Sequence, residues 1–143
     1  MDATGKLLRH KREHAFHFNM LLYYGCYIQS TATFIRRRVI KAGHLLNIVF
    51  RVCMDFEYYV RLSRLGYRFA HLPVRLAAFR WHATNTSAVR SQRRREERLR
   101  VQRDHLSLAG HSHLQSERML DLLFRAHQLL RVPLKLAARW QAR

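Results

Sequence analysis

The sequence predicts an α/β fold over residues 1–87, followed by a basic helical tail over residues 88–143. Short amphipathic segments that end at a glycine are typical of helices, and alternating segments beside them are typical of half-buried strands. The tail is predicted by a change in composition. Beyond residue 87 the alternation stops, and charged residues become dense on helix-forming segments.

The chain begins with short elements. Residues 2–5, Asp-Ala-Thr-Gly, have the composition of a turn that joins two strands. Residues 20–28 are apolar and aromatic without clean alternation. This pattern predicts a short helix or a buried edge that turns at Gly25 into a strand.

A strand and the first longer helix are predicted next. Residues 33–35 favour a strand because they combine threonine, phenylalanine and isoleucine. Residues 36–42 place their apolar side chains on one helical face, and Gly43 stands where a left-handed C-cap is required. We therefore predict a short helix that ends at Gly43.

The next predicted helix begins near Asp55. A carboxylate in the first turn of a helix meets unsatisfied N–H groups and the positive end of the helix dipole. Phe56, Tyr59 and Val60 share one face, and Gly66 is expected to stop the helix.

Two strands are predicted after this helix. Residues 67–72 form the first, which Pro73 ends because proline cannot donate to a ladder. Residues 76–82 form the second, and alternation places Arg80 and His82 on one of its faces.

The tail is predicted to hold two helices. Residues 88–109 are helix-forming and highly charged, with only a ragged apolar stripe. The second helix begins near Ser116 and carries many leucines. We expect Pro133 to kink or stop it.

Composition limits the classes of partner and the compartment. The 27 Lys and Arg against 9 Asp and Glu give a net charge of +18, which favours anionic partners such as nucleic acid, phosphates or acidic lipid. Cys26 and Cys53 lack the spacing of a zinc site or a disulfide framework. No apolar stretch is long enough to span a bilayer. We therefore expect a cytoplasmic chain, and peripheral contact with the inner face of the membrane is compatible with this location.

Three stretches of sequence carry a resemblance to a known family. They read Gly-x-Tyr-Ile-Gln-x-x-x-x-Phe-x-Arg-Arg from Gly25, Met-Asp-x-Glu-Tyr-Tyr-x-Arg-Leu-x-x-x-Gly-Tyr-x-Phe from Met54, and Leu-Ala-x-Phe-Arg-x-His-x-x-x-x-Ser from Leu76. In this order and spacing they resemble the carboxyl half of bacterial family 2 glycosyltransferases, which are inverting enzymes. The resemblance implies part of a Rossmann-like GT-A domain over residues 1–87.

The resemblance also implies roles for individual residues. Asp55 matches the aspartate of the family's Glu-Asp motif, with Met54 in place of the glutamate, and would be the base that deprotonates the acceptor hydroxyl. His82 would approach the metal or the diphosphate, and Arg80 would neutralise developing diphosphate charge. Gln29 would border the acceptor pocket. From the residues alone, Asp55 could equally only cap its helix, His82 could be a surface histidine, and Gln29 could belong to a polar turn.

The nucleotide-binding half of such an enzyme is not evident. The sequence has no Asp-x-Asp and no glycine-rich phosphate loop. A complete family domain is expected to use Mg²⁺ or Mn²⁺, a nucleotide-sugar donor and a glycan or lipid-linked acceptor. We therefore expect this chain to be a fragment that is not active alone, and its own residues indicate no metal site beyond a weak one at His82.

Two other classes of function remain open. A nucleic-acid-binding protein is compatible with the arginine triplets at residues 36–38 and 93–95, although the aromatic residues concentrate in the predicted core. A membrane-surface module is compatible with residues 116–143, which combine Leu, Phe and Trp with basic residues. Packing of that stripe against the rest of the fold is the plainer alternative.

Overall fold

The computed structural model describes residues 1–81 and 91–140, and helices are its regular elements. A π-helical turn spans Met20–Tyr24, and 3₁₀ turns span Ser30–Ala32 and Ser112–Leu114. The α-helices are α1 (Arg37–Lys41), α2 (Met54–Arg64), α3 (Ser91–Leu108) and α4 (Glu117–Trp140).

The predicted α/β fold is wrong. The described residues contain no strand, so the structure does not support a Rossmann-like GT-A sheet, whether partial or complete. The segments predicted as strands, 33–35, 67–72 and 76–81, are irregular. Met1 makes two backbone hydrogen bonds with residues 79 and 81, each 2.9 Å long, which are too few to build a strand.

The error has a physical cause. A strand is stable only when its N–H and C=O groups pair with those of a neighbouring strand, and alternation within one segment cannot provide that neighbour. Without such pairing many apolar side chains beyond residue 70 lie in solvent, and those of Leu72, Val74 and Trp81 are all more than half exposed.

The predicted helix ends are confirmed. Gly43 follows α1 with φ +81°, and Gly66 follows α2 with φ +83°. Both are left-handed conformations, which residues with a Cβ rarely adopt and which favour glycine. Gly25 likewise turns the chain after the π-helical turn, with φ +111°, although no strand follows it.

The tail helices are confirmed in kind, and one boundary is corrected. The charged segment is helical over Ser91–Leu108, while residues 88–90 of that prediction lie outside the described residues. Pro133 does not stop α4, which continues to Trp140. Pro133 has no N–H, so the carbonyl of Leu129 lacks its helical hydrogen-bond donor. Both residues lie on the exposed face, where water can bind this carbonyl.

The core lies where α2 meets α3 and where α4 meets the π-helical turn. Gln102 on α3 is fully buried there, and its Nε2 donates to the carbonyl of Leu22 at 2.7 Å. This bond serves a carbonyl of the π-helical turn that would otherwise be buried without a partner. The fully buried apolar side chains include Leu21, Leu22, Phe56, Tyr58, Leu106 and Leu120.

An ionic cluster attaches the amino-terminal segment to α4. Arg131 donates to both carboxylate oxygens of Glu13, at 2.8 and 2.6 Å, and also to the Tyr24 hydroxyl. Lys135 lies 3.5 Å from the same carboxylate. Burial opposes ionisation of Glu13, but these cations outweigh it and lower its pKa. Two basic residues of α4 therefore point inward.

Candidate active site

Asp55 lies in the first turn of α2 and lines a cleft of about 400 Å³. The cleft is bounded by α2, by the loop before it and by the segment around the 3₁₀ turn Ser30–Ala32. Hydroxyl-bearing side chains and apolar side chains share its wall. The other lining residues are Ser30, Thr33, Ile35, Leu46, Val52, Met54, Tyr58 and Tyr59.

The carboxylate of Asp55 is oriented by its own backbone. The N–H of Phe56 donates to Oδ1 at 2.8 Å. The N-cap position belongs to Cys53, which makes no side-chain capping bond, so Asp55 is not the N-cap of α2. Fixing one oxygen leaves the carboxyl group in a defined orientation at the cleft wall.

The environment makes Asp55 a stronger base than an ordinary aspartate. Desolvation by the surrounding side chains is the largest influence and raises the pKa of Asp55 above its ordinary value of 3.8. Hydrogen bonds from backbone N–H groups and from the Cys26 thiol act in the opposite direction but do not cancel the effect. A partly desolvated carboxylate beside a cleft is a favourable arrangement for proton abstraction.

Three neighbours of Asp55 were not identified as site residues from the sequence. Cys26 lies close enough to Asp55 to lower the pKa of that carboxyl group, Tyr59 interacts electrostatically with both, and Thr33 lies beside Tyr59. Burial raises the pKa of Tyr59 to about 12, so its hydroxyl stays neutral at physiological pH. In the sequence, Tyr59 carried only the signal of a core-facing residue, and Cys26 carried none beyond being a lone cysteine.

A carboxylate of α3 holds the loop that leads into Asp55. Glu97 accepts hydrogen bonds from the N–H groups of Arg51, Val52 and Cys53 at 3.0, 2.8 and 2.9 Å. Only 9% of Glu97 is exposed, and Arg93 lies 2.8 Å from it. Burial opposes its ionisation, but Arg93 and the three N–H groups outweigh burial and lower the pKa of Glu97 to about 2.

Of the other predicted site residues, Arg80 and Gln29 are described by the structure and do not line the cleft. Arg80 is exposed and is not among the described residues that line the cleft. Gln29 is half-buried and directly precedes Ser30 of the cleft, and its carbonyl accepts from the Thr33 hydroxyl at 2.8 Å. His82 lies outside the described residues.

Among the residues that the structure describes, no group of three or more His, Cys, Asp or Glu side chains could hold a metal ion. None of the described helices combines the length and apolar character needed to cross a membrane.

Comparisons with protein family models, with curated proteins and with solved structures found no match to this chain.

Proposed function

We propose that this chain supplies the acceptor side of an inverting sugar transfer from a nucleotide sugar to a hydroxyl group, with Asp55 as the general base. The observation that supports the proposal is the position of Asp55. It is an oriented, partly desolvated carboxylate of raised pKa, and it lines a cleft large enough to admit part of a sugar acceptor.

In this reaction Asp55 accepts the proton of the acceptor hydroxyl. The hydroxyl lies in the cleft, and its oxygen forms a bond to the anomeric carbon while the proton moves to Asp55. The bond from the anomeric carbon to the diphosphate breaks on the opposite side, and the nucleoside diphosphate leaves with the electron pair. Attack opposite the leaving group inverts the configuration at the anomeric carbon.

The walls of the cleft suit a carbohydrate acceptor. Ser30 and Thr33 provide hydroxyl groups that can exchange hydrogen bonds with a sugar, while Leu46 and Met54 provide apolar surface for the face of a sugar ring. The neutral hydroxyl of Tyr59 adds a group that does not compete with Asp55 for the proton at physiological pH.

The donor side is not assigned to this chain. Its sequence has no Asp-x-Asp and no glycine-rich phosphate loop, so the nucleotide diphosphate would be held by another segment or another polypeptide.

The proposal is tested by transfer of labelled sugar. The 143-residue chain and any longer product of its gene are incubated with a panel of nucleotide sugars and with glycan and lipid-linked acceptors. We expect transfer in the form that also holds the donor, with an inverted anomeric linkage by NMR. Absence of transfer in every form, or retention of configuration, would contradict the proposal.

The rate of transfer is expected to fall at acidic pH through protonation of Asp55. Only the carboxylate form can accept a proton, so kcat/KM declines as pH drops through the pKa of the free enzyme's base. Because burial raises that pKa, the decline should be centred above 3.8, the ordinary value for aspartate. A pH profile of kcat/KM, taken where circular dichroism shows the fold intact, checks this expectation. A decline centred at or below 3.8 would contradict it.

A further inference from the structure

The longest helix, α4, has two different faces. Its inner face packs on the π-helical turn and carries Leu120, Phe124, Arg131 and Lys135, which are buried or half-buried. Its outer face is exposed over residues 117–137, yet most of the exposed residues there are apolar. An amphipathic helix of a globular protein normally places polar residues on the side that faces water.

The exposed apolar residues form a continuous stripe. Leu122, Leu129 and Leu136 follow one another at seven-residue intervals and therefore lie nearly in line. Their exposed fractions are 61%, 75% and 49%. Leu130 and Val132, both more than half exposed, widen the stripe beside Leu129. At 1.5 Å per residue the stripe is about 21 Å long.

Basic residues accompany the stripe. Arg118 and Arg125 are exposed and precede Leu122 and Leu129 by one helical turn each. Arg131 points inward to Glu13 and is not part of this surface. The chain as a whole has a net charge of +18.

We propose that this stripe binds the surface of an anionic lipid bilayer, with α4 lying in the plane of the interface. Leucines that insert between headgroups, with arginines beside them near lipid phosphates, are the combination that such binding requires. The helix does not have the apolar character to cross the bilayer. Association with a second copy would bring together two chains that each have a net charge of +18, whereas an anionic membrane neutralises that charge.

The test is co-sedimentation with vesicles. The whole chain is mixed with vesicles of phosphatidylcholine alone or of phosphatidylcholine and phosphatidylglycerol. We expect binding to the anionic vesicles that weakens as salt is added, and little binding to the neutral ones. Leu129→Glu should lower the affinity for anionic vesicles by at least about tenfold, because it replaces an inserting side chain with a charge of the same sign as the lipid.

A matched control separates this effect from a general one. Leu108, at the end of α3, is 68% exposed and lies outside the stripe, so Leu108→Glu adds the same charge elsewhere and should leave binding nearly unchanged. If Leu129→Glu disturbs the fold, the milder double variant Leu122→Ser with Leu136→Ser takes its place. This double variant should also weaken binding to anionic vesicles. Equal binding by all variants, or no binding by the wild-type chain, would overturn the proposal. So would a dimer of the wild-type chain that Leu129→Glu dissociates without any change in vesicle binding.

Discussion

Asp55→Asn is expected to lower the rate of sugar transfer by at least about 10²-fold in the form of the enzyme that holds the donor. Asparagine preserves the size of the side chain and can still accept a hydrogen bond from the N–H of Phe56, but it cannot accept the acceptor proton. The comparison of kcat/KM between wild type and variant, with nucleotide-sugar binding measured separately, checks this. Binding of the nucleotide sugar should be unchanged.

Glu57→Gln provides the matched control for Asp55. Glu57 stands on the same helix two residues later, and its carboxylate pairs with Arg61 at 2.6 Å instead of lining the cleft. Its replacement should leave transfer near the wild-type rate and reduce stability by no more than about 0.5 kcal/mol. A similar loss of transfer in both variants would show that charge near the start of α2, and not proton transfer by Asp55, governs the rate.

The stability of Asp55→Asn distinguishes a base from a structural aspartate. The pKa of Asp55 is raised in the folded chain, so its ionised form at neutral pH is less favourable there than in the unfolded chain. Removing this charge should therefore leave the free energy of unfolding unchanged or increase it. Because asparagine caps a helix about as well as aspartate, a structural capping role is tested by Asp55→Ala, which would then lower the free energy of unfolding by about 1 kcal/mol. Urea unfolding at pH 7 decides between the two.

Glu97→Gln is expected to lower the free energy of unfolding at neutral pH by about 2–3 kcal/mol. The substitution removes the charge that accepts three backbone N–H groups and that pairs with Arg93. It also turns an amide NH₂ group toward some of those donors. Glu96→Gln is the matched control, because Glu96 is the adjacent glutamate and is exposed. Urea unfolding should show no more than about 0.5 kcal/mol of loss for that control.

The contribution of Glu97 has a defined dependence on pH. Its pKa is about 2 in the folded chain, against an ordinary value of 4.5. Its stabilisation is therefore complete above about 4.5 and is lost as pH falls toward 2. The difference in stability between wild type and Glu97→Gln should shrink over this range. A difference that stays constant with pH would contradict the role of the ionised carboxylate.

Local signals predicted the helices and failed to predict the rest of the fold. Gly43 and Gly66 end α1 and α2 because a left-handed residue is a property of a few adjacent positions. The strands expected at 67–72 and 76–81 did not form in the described chain, because a strand depends on a partner that its own sequence does not contain. Pro133 was expected to kink or stop α4, and its exposed position explains why the helix does not stop there.

The candidate site also has a part that local sequence predicts and a part that it does not. The position of Asp55 could be predicted, because a carboxylate in the first turn of a helix is a local pattern. The roles of Cys26 and Glu97 could not, since each contacts the start of α2 from a distant part of the chain. Glu97 lies 44 to 46 residues from the N–H groups that it binds.

The sequence by itself determined the strong positive charge, the helix ends at glycines and the position of Asp55 at the start of a helix. Only the tertiary structure decided that α3 holds the loop before Asp55 through Glu97, and that Arg131 turns inward to Glu13 while the leucines of α4 face outward. The physical reason is the range of the interactions. Caps and helical periodicity act within a few residues, whereas desolvation, ion pairing and exposure depend on which distant segments pack together.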